Sequence, residues 1–424
     1  MKIKLIIAFM LLGSFPAFAQ TGWTVCSAPV FNSRVDDIFM VNTQTGYAVC
    51  GDGKIVKTTN GGDNWTLLLQ NSAVYCRAVE FINTQKGFVG GFNSAMTNIL
   101  RRTTDGGATW TDITSLLDPR ARKGICGLAV VDSNTIYGGG NWFQDSGYIV
   151  KSVDGGNTWS FINMSSYASS IIDLNFTSKD TGFVTGKSQF LRSAVILYTT
   201  DGGASWTKKF ESINISSYCW KIQRLTKQIY FASIEDLTQV PPKILKSVDG
   251  GMHWTTHQVS PVPYNIEGIG FIDPKKGWTG GDPGKSFESN DGGKTWDSVA
   301  FCPNLNRLFK VNDTMMLASG NQIWKYKGKG IYPVIPDQRF AWMNCYPNPV
   351  RDILSVEVSV SVATRILVML LDESGRRIKT FENADRPKGS YQYYLNTSGL
   401  SQGIYFVVLK THEDKRIVKI MVSR

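Results

Sequence analysis

The chain has 424 residues, more than one compact hydrophobic core usually takes, and a formal net charge of +11. Glycine occurs 41 times, aromatic residues make up 12% of the chain, and apolar residues seldom recur at helical spacing. The composition argues against a helical fold and for many short strands joined by tight turns.

The N-terminus reads MKIKLIIAFMLLGSFPAFAQ. Lys2 and Lys4 precede an apolar run, Leu5 to Leu12, that is too short to span a bilayer as a helix. Ala17-Phe18-Ala19 is an A-x-A cleavage signal, so residues 1–19 are expected to be a secretory signal peptide, with Gln20 as the mature N-terminus. No cysteine sits at the junction, which argues against a lipoprotein. The charge divides as +2 in this segment, +5 in the middle and +4 from Tyr346 onward, where twelve Lys and Arg face eight Asp and Glu. An excess this mild fits ordinary solubility or anionic partners such as acidic glycans, and no nucleic-acid partner is read from it. The seven cysteines show no framework spacing; buried thiols, or one or two bridges, are both compatible with export.

From residue 20 to 330 one pattern recurs. KTTNGGDNWT, RTTDGGATWT, KSVDGGNTWS, YTTDGGASWT, KSVDGGMHWT and ESNDGGKTWD share the form Ser/Thr-x-Asp/Asn-Gly-Gly-x-x-Trp. The acid or amide is Asn60, Asp105, Asp154, Asp201, Asp249 and Asp291 in turn. The tryptophans Trp65, Trp110, Trp159, Trp206, Trp254 and Trp296 lie 45, 49, 47, 48 and 42 residues apart, a period that signals a repeat architecture. Physically, the two glycines permit the positive φ of a tight hairpin, and the acid accepts hydrogen bonds from the turn's backbone. The Trp returns the chain to the core with one N–H to satisfy. The pattern resembles the Asp box, or bacterial neuraminidase repeat. That resemblance implies a structural turn on the outer hairpin of a propeller blade, away from the ligand face.

Before each turn come a strand, a polar turn and a Gly-aromatic pair, as in VEFINTQKGFVGG and IGFIDPKKGWTGG. Four short strands per repeat make a propeller blade. Residues 306–330 form a seventh repeat with a degenerate turn, in which Ile323-Trp324-Lys325 aligns with Ile149-Val150-Lys151. Residues 22–30 are expected to supply its missing outer strand and close the ring, which removes exposed sheet edges. Over residues 22–330 the combined pattern resembles the family of photosystem II stability and assembly factors and their non-photosynthetic bacterial relatives. The resemblance implies a seven-bladed ring that binds a partner without chemistry; photosystem work itself is not implied.

On the face opposite the Gly-Gly turns, long loops carry Arg120, Arg122, Trp142, Phe143, Phe190, Arg192 and Tyr264, and arginine with exposed aromatics is the usual composition of a binding hot spot. Asp36, Arg77 and Glu267 fall at matching places near the start of inner strands, where they either line the mouth of the central channel or form a salt bridge between blades.

Residues 331–345 break the repeat and read as a linker. Residues 346–424 alternate apolar and polar positions between turn signals, as a small immunoglobulin-like β-sandwich does. Tyr346-Pro347-Asn348-Pro349, Asp372-x-x-Gly375-Arg376, Gly389-x-Tyr391, Leu400-x-x-Gly403-Ile404-Tyr405 and the closing Lys419-Ile420-Met421-Val422 together resemble the sorting domain of type IX secretion cargo. This resemblance implies the type IX machinery and its sortase-like protease as partners. It also implies release from the cell, or attachment to anionic lipopolysaccharide at the outer surface.

The catalytic inventory is thin. Only three histidines occur, and no nucleophile, phosphate-loop, dinucleotide or calcium-loop signature accompanies them, so no catalytic residue, metal or cofactor is assigned. The expectation is an all-β chain, a seven-bladed propeller followed by a β-sandwich, that acts as a secreted or surface binding protein for a protein or glycan. The alternative is a secreted glycoside hydrolase, sialidase-like or polysaccharide-cleaving, with carboxylates at the channel mouth. Against it, the first sialidase arginine motif, Arg-Ile-Pro, is absent near the mature N-terminus. A purely structural surface protein is the third reading.

Overall fold

The structure, a computed structural model, describes residues 22–140, 146–238, 240–282, 284–328, 341–360, 363–411 and 415–423. The expected signal peptide lies outside the described residues. The chain divides into two compact units, residues 1–330 and 331–424.

In the first unit the described residues form seven antiparallel sheets of four strands. Blade 1 runs Val35–Met40, Gly46–Cys50, Lys54–Thr58 and Thr66–Gln70 from axis to rim. The innermost strands of blades 2 to 6 are Tyr75–Phe81, Ile125–Val130, Ala168–Phe176, Ser217–Arg224 and Gly268–Phe271. Blade 7 consists of Arg307–Lys310, Met315–Ser319, Ile323–Lys327 and, from the other end of the chain, Trp23–Val25. That last strand pairs Trp23 with Tyr326 and Val25 with Trp324. Each innermost strand packs on the next, and blade 7 packs back on blade 1, so the ring is closed.

Two local devices repeat around the ring. In the Gly-aromatic pairs the glycine is required by close approach: a Cβ on Gly87, Gly182 or Gly277 would lie 2.4 Å from the ring of Phe81, Phe176 or Phe271. The phenylalanine that fills this gap is in turn stacked by an aromatic of the preceding blade: Tyr47 on Phe81, Tyr137 on Phe176 and Phe231 on Phe271, each at 3.7 Å. The turn tryptophans Trp110, Trp206 and Trp296 meet those same phenylalanines edge-on. Offset and edge-to-face contacts of this kind add to the apolar area they bury.

The Gly-Gly turns are the second device. In blade 3, Gly155 and Gly156 have φ of 72° and 85°. Ser152 Oγ donates to Asp154 (2.8 Å) and accepts from the Gly156 N–H (2.7 Å), while Asp154 accepts from the Thr158 N–H and hydroxyl. These hydrogen bonds hold the Asp154 carboxyl below the usual range, and its counterparts Asp105, Asp201 and Asp291 at about 2. The basic residue one place before the Ser or Thr bonds the following blade: Lys57 Nζ donates to Gly106 O, Lys151 to Gly202 O and Lys246 to Gly292 O. Blade 7 has no such turn, yet Lys325 keeps the habit and pairs with Asp63 in the turn of blade 1 (2.9 Å). Ser152 is 1% exposed. Ser152→Ala would strand the buried Gly156 N–H and is expected to lower stability by about 1–3 kcal/mol in urea denaturation.

The second unit is a sandwich. A three-stranded sheet (Ala341–Tyr346, Ile353–Val360, Gly389–Asn396) faces a four-stranded one (Arg377–Arg386, Thr364–Asp372, Gly403–Lys410, Lys415–Val422). Both sheets contribute to one core that includes Val356, Val358, Ile366, Val368, Val407 and Ile420. The linker expected through residue 345 is corrected at its end. Ala341–Tyr346 is a strand because Met343 and Cys345 alternate into that core while the backbone pairs with Ile353–Val360. Asn348 ties its motif to the chain's last strand, donating to Lys419 O (2.9 Å) and accepting from Met421 N (2.8 Å). Tyr405 donates to Ser401 O (3.0 Å), and Gly375 takes φ 82° in the turn after Asp372. Gly403 opens the strand that carries Tyr405. The Tyr346–Pro347 and Asn348–Pro349 bonds are cis.

All seven cysteines are buried and none forms a disulfide, and burial pushes the thiols of Cys26, Cys50, Cys76, Cys126 and Cys345 up to about 12.

Candidate functional site

The cross-strand registers place one residue of each innermost strand at the same height around the axis: Asp37, Ala78, Gly127, Asp173, Lys221, Gly268 and Arg307. The residue before each forms a second tier nearer the mouth, which includes Asp36, Arg77, Trp220, Glu267 and Asn306. Both tiers carry charge.

In the deep tier the Arg307 guanidinium bridges three blades. It donates to Asp37 (2.6 Å) and, through two nitrogens, to Asp173 (3.1 and 3.2 Å). Asp37 also accepts from the Val79 N–H of blade 2, and Asp173 from the Ile222 N–H of blade 5. The carboxylates therefore stitch neighbouring inner strands together, and the arginine ties blades 7, 1 and 4 across the axis. Burial lowers the nearby Lys221 ammonium to about 8, with Arg307 adding to the effect. The Glu80 carboxyl is pushed well above its ordinary range, first by burial and then by Asp37.

In the mouth tier Arg34, just before the first inner strand, pairs with both Asp36 (3.0 Å) and Glu267. Arg77 pairs with the same Asp36, and its guanidinium lies 5.0 Å over the Trp220 ring. Asn306 Nδ2 donates to Glu267 (2.7 Å). The structure thus brings Asp36, Arg77 and Glu267 together through inter-blade ion pairs, and of the three Glu267 lines a depression at the mouth. The depression, of about 590 Å³, is lined by Phe31, Asn32, Ser33, Arg34, Tyr75, Glu267, Asp282, Asn304 and Asn321. It lies at the end of the ring opposite the Gly-Gly turns. Burial and the nearby Asp36 raise the Tyr75 phenol to about 12.

Glu235 joins this group from blade 5. On its strand Phe231 stacks on Phe271 and the Ser233 hydroxyl donates to Glu267 O, so this face of the strand looks at blade 6. Glu235 continues the alternation two residues nearer the mouth. Its carboxyl is raised to about 8, first by burial and next by Glu267. A carboxyl raised in the folded state holds a proton that the unfolded chain releases, so its contribution to stability is lost as pH climbs through this range. The propeller is therefore expected to lose stability between about pH 5 and pH 8, and Glu235→Gln is expected to flatten that slope in melting curves recorded across pH.

The remaining sequence candidates are dispersed. Arg120 pairs with Asp118 (2.8 Å) and covers Phe161 at 4.2 Å; Arg122 donates to the carbonyls of Leu117 and Ser115. Both arginines hold their own loop. Tyr264 packs against Phe287 beneath Lys285. Trp142 and Phe143 lie outside the described residues. Phe190 is 82% exposed, in the same turn as Arg192, whose carbonyl accepts from Ser216. Beside that turn stand the exposed Leu191, Ile213, Ile215 and Leu237, with Ile213 94% exposed. Their loops are joined by the Ser193–Ile215 pairing and by Leu237 N–H donating to Ser216 O. Sequence reasoning missed Arg34, Glu235 and the deep tier. Extending the repeat alignment by one residue would have found Asp37, Asp173, Lys221 and Arg307.

Residues 344–423 match the family of secretion system C-terminal sorting domains. This module marks the chain for type IX export, to the cell surface or the medium. No curated protein matches the chain. Among solved structures the propeller is similar to YCF48 bound to a D1 peptide, at 19% identity over 74% of this chain and 100% of that one, with a TM-score of 0.56. It is also similar to YCF48 from Cyanidioschyzon merolae, at 19% identity over 72% and 98% of the two chains (TM-score 0.54). The WD40 propeller of Doa1 matches at 11% identity over 72% and 96% (TM-score 0.52). At these identities the likeness establishes the fold.

Proposed function

We propose that this chain is a binding protein of the cell exterior whose propeller docks a partner, a protein in preference to a glycan, on its mouth face. The observation that carries the reading is the composition of that face. It carries a polar depression of about 590 Å³ and, separately, an exposed apolar group on blades 4 and 5, Phe190, Leu191, Ile213, Ile215 and Leu237. Exposed apolar groups of this size on a folded unit mark contact surfaces. A similar propeller, YCF48, holds a D1 peptide, which suits the same use of the fold. Export follows the two addresses in the sequence, residues 1–19 as signal peptide and the sorting module at the other end. The type IX machinery and its sortase-like protease act on the latter, and attachment to lipopolysaccharide is one outcome of that processing.

The glycosidase alternative has one point in its favour, the approach of Glu235 to Glu267. Yet Glu267 is 5% exposed and held by Arg34 and Asn306, which leaves it poorly placed to attack a substrate. The test is to offer the full chain a panel of peptides, host glycoproteins and sialylated and neutral polysaccharides, scoring both bound material and released fragments by mass spectrometry. Binding without release is expected. Sugar release that disappears in Glu267→Gln would replace this reading with the hydrolase.

A further inference from the structure

Resting on that docking reading, we infer that the exposed apolar group on blades 4 and 5 seats a segment of the partner protein that carries bulky apolar side chains together with carboxylates.

Three connections build the group. Phe190 and Leu191 form the tip between Gly182–Ser188 and Ser193–Thr199 of blade 4. Ile213 and Ile215 end the outer strand of the same blade, Thr207–Ile215. That strand has nine residues, whereas the outer strands of the other blades have two to five. Part of the extra length is a bulge: Ser212, Ile213 and Asn214 stand out between the Val195–Glu211 and Ser193–Ile215 pairings. Leu237 comes from the tip between Tyr230–Asp236 and Lys243–Ser247 of blade 5. Ser216 ties the three together, donating its N–H to Arg192 O (2.8 Å) and accepting from the Leu237 N–H (3.3 Å). Hydrogen-bonded backbone therefore holds these apolar side chains out in solvent, an arrangement that marks a contact surface.

The charges around the group select its occupant. The carboxylates beside it are already engaged or covered. Glu211 pairs with Lys208, Asp236 accepts from Asn214 Nδ2 (2.8 Å) and from the Thr238 N–H (2.9 Å), and Glu235 is buried. Two lysines make no ion pair among the described residues. Lys187, three residues before Phe190, donates to the Tyr218 hydroxyl (3.2 Å) and lies over that ring at 4.5 Å. Lys243 is exposed and stands opposite Ile234, where the blade 5 tip begins. Ammonium groups at the edge of an apolar surface complement carboxylates set beside apolar side chains, and their alkyl stems extend the apolar area. A second copy of this chain fits less well, because a two-fold contact through this group would set its lysines against each other. An anionic membrane also fits less well, since electrostatic attraction to lipid takes clusters of about four to eight basic residues.

The probes are acetylated, amidated pentapeptides Leu-Asp-Leu-Asp-Leu, Leu-Lys-Leu-Lys-Leu and Ser-Asp-Ser-Asp-Ser, titrated into the full chain at low ionic strength and followed by NMR line broadening of the peptide. Leu-Asp-Leu-Asp-Leu is expected to bind about tenfold more tightly than either of the others. Phe190→Ser combined with Ile213→Ser should abolish its binding; both side chains are exposed, so the fold is retained. Lys187→Gln combined with Lys243→Gln should bring the acidic and basic apolar peptides to equal affinity. Asn321→Trp, at the separate depression, should leave the peptides unaffected. Equal affinity of the unaltered chain for the acidic and basic apolar peptides, or binding of Leu-Asp-Leu-Asp-Leu that survives Phe190→Ser with Ile213→Ser, would overturn the inference. Phosphatidylglycerol vesicles that sediment the full chain but not that double variant would also overturn it, in favour of a membrane. Panel binding is measured in parallel to separate the two levels. Panel binding lost in Asn321→Trp but unchanged in Phe190→Ser with Ile213→Ser overturns the inference and keeps the docking face. Panel binding insensitive to both overturns the docking face itself.

Discussion

Trp23→Ala is expected to destabilise the propeller by about 3–5 kcal/mol, the usual cost of emptying a buried tryptophan site. The strand that closes the ring is three residues long, and its backbone pairing alone is a weak clasp. Its hold comes from the Trp23 ring, 7% exposed, stacked on Phe301 at 4.5 Å and set edge-on to Trp278 at 5.1 Å. Tyr326 completes the cage at 5.4 Å. Without the ring, blade 7 keeps three strands and blade 1 loses the tie from Ser27 to its Gly-Gly turn. Urea denaturation should show the full loss, and limited proteolysis should clip the N-terminus first. Val25→Ala is the control: Val25 is 48% exposed, and its truncation should change stability by less than about 0.5 kcal/mol. If the two variants melt alike, the clasp does not depend on this ring.

Arg307→Met should cost a similar amount, about 3–5 kcal/mol, because it leaves Asp37 and Asp173 charged and buried without their cation. Those carboxylates are 3% and 1% exposed. Adding Asp37→Asn and Asp173→Asn to Arg307→Met should recover most of the loss, since a buried ion group replaced as a whole is often nearly neutral. An asparagine oxygen can still accept from Val79 or Ile222, which keeps the inner strands registered. A triple variant no more stable than the single one would mean that Arg307 acts through packing and not through charge.

The architecture was legible because its determinants are local and repeated. Asp154 with Gly155 and Gly156 specifies a turn without help from elsewhere, and six copies fix the blade period. Even the closing strand could be placed, because Trp23 follows no turn of its own while Ile323–Lys327 precedes none. The site was legible only in part. Asp36, Arg77 and Glu267 share a register position, and comparing the repeats exposes them. Arg34 sits before the strand and Glu235 on a second strand, so each reaches the mouth by a path that no single repeat position records. Arg120 and Arg122 show the opposite case: a loop rich in carbonyls and one aspartate gives their guanidinium groups partners close at hand. Composition marks which side chains could bind, whereas the fold decides which are already engaged.

The central claim is that binding takes place on the mouth face, and a pair of blocking substitutions tests it most directly. Asn321→Trp fills the rim of the mouth depression; Asn312→Trp places the same bulk on the opposite face, beside the Gly-Gly turn of blade 1. The measurement is the affinity of the full chain for the panel component it binds best, for each variant against the unaltered protein. The account predicts at least a tenfold loss, about 1.4 kcal/mol, for Asn321→Trp and no change for Asn312→Trp. Retained affinity in Asn321→Trp with loss in Asn312→Trp would contradict it and move the working surface to the face of the turns.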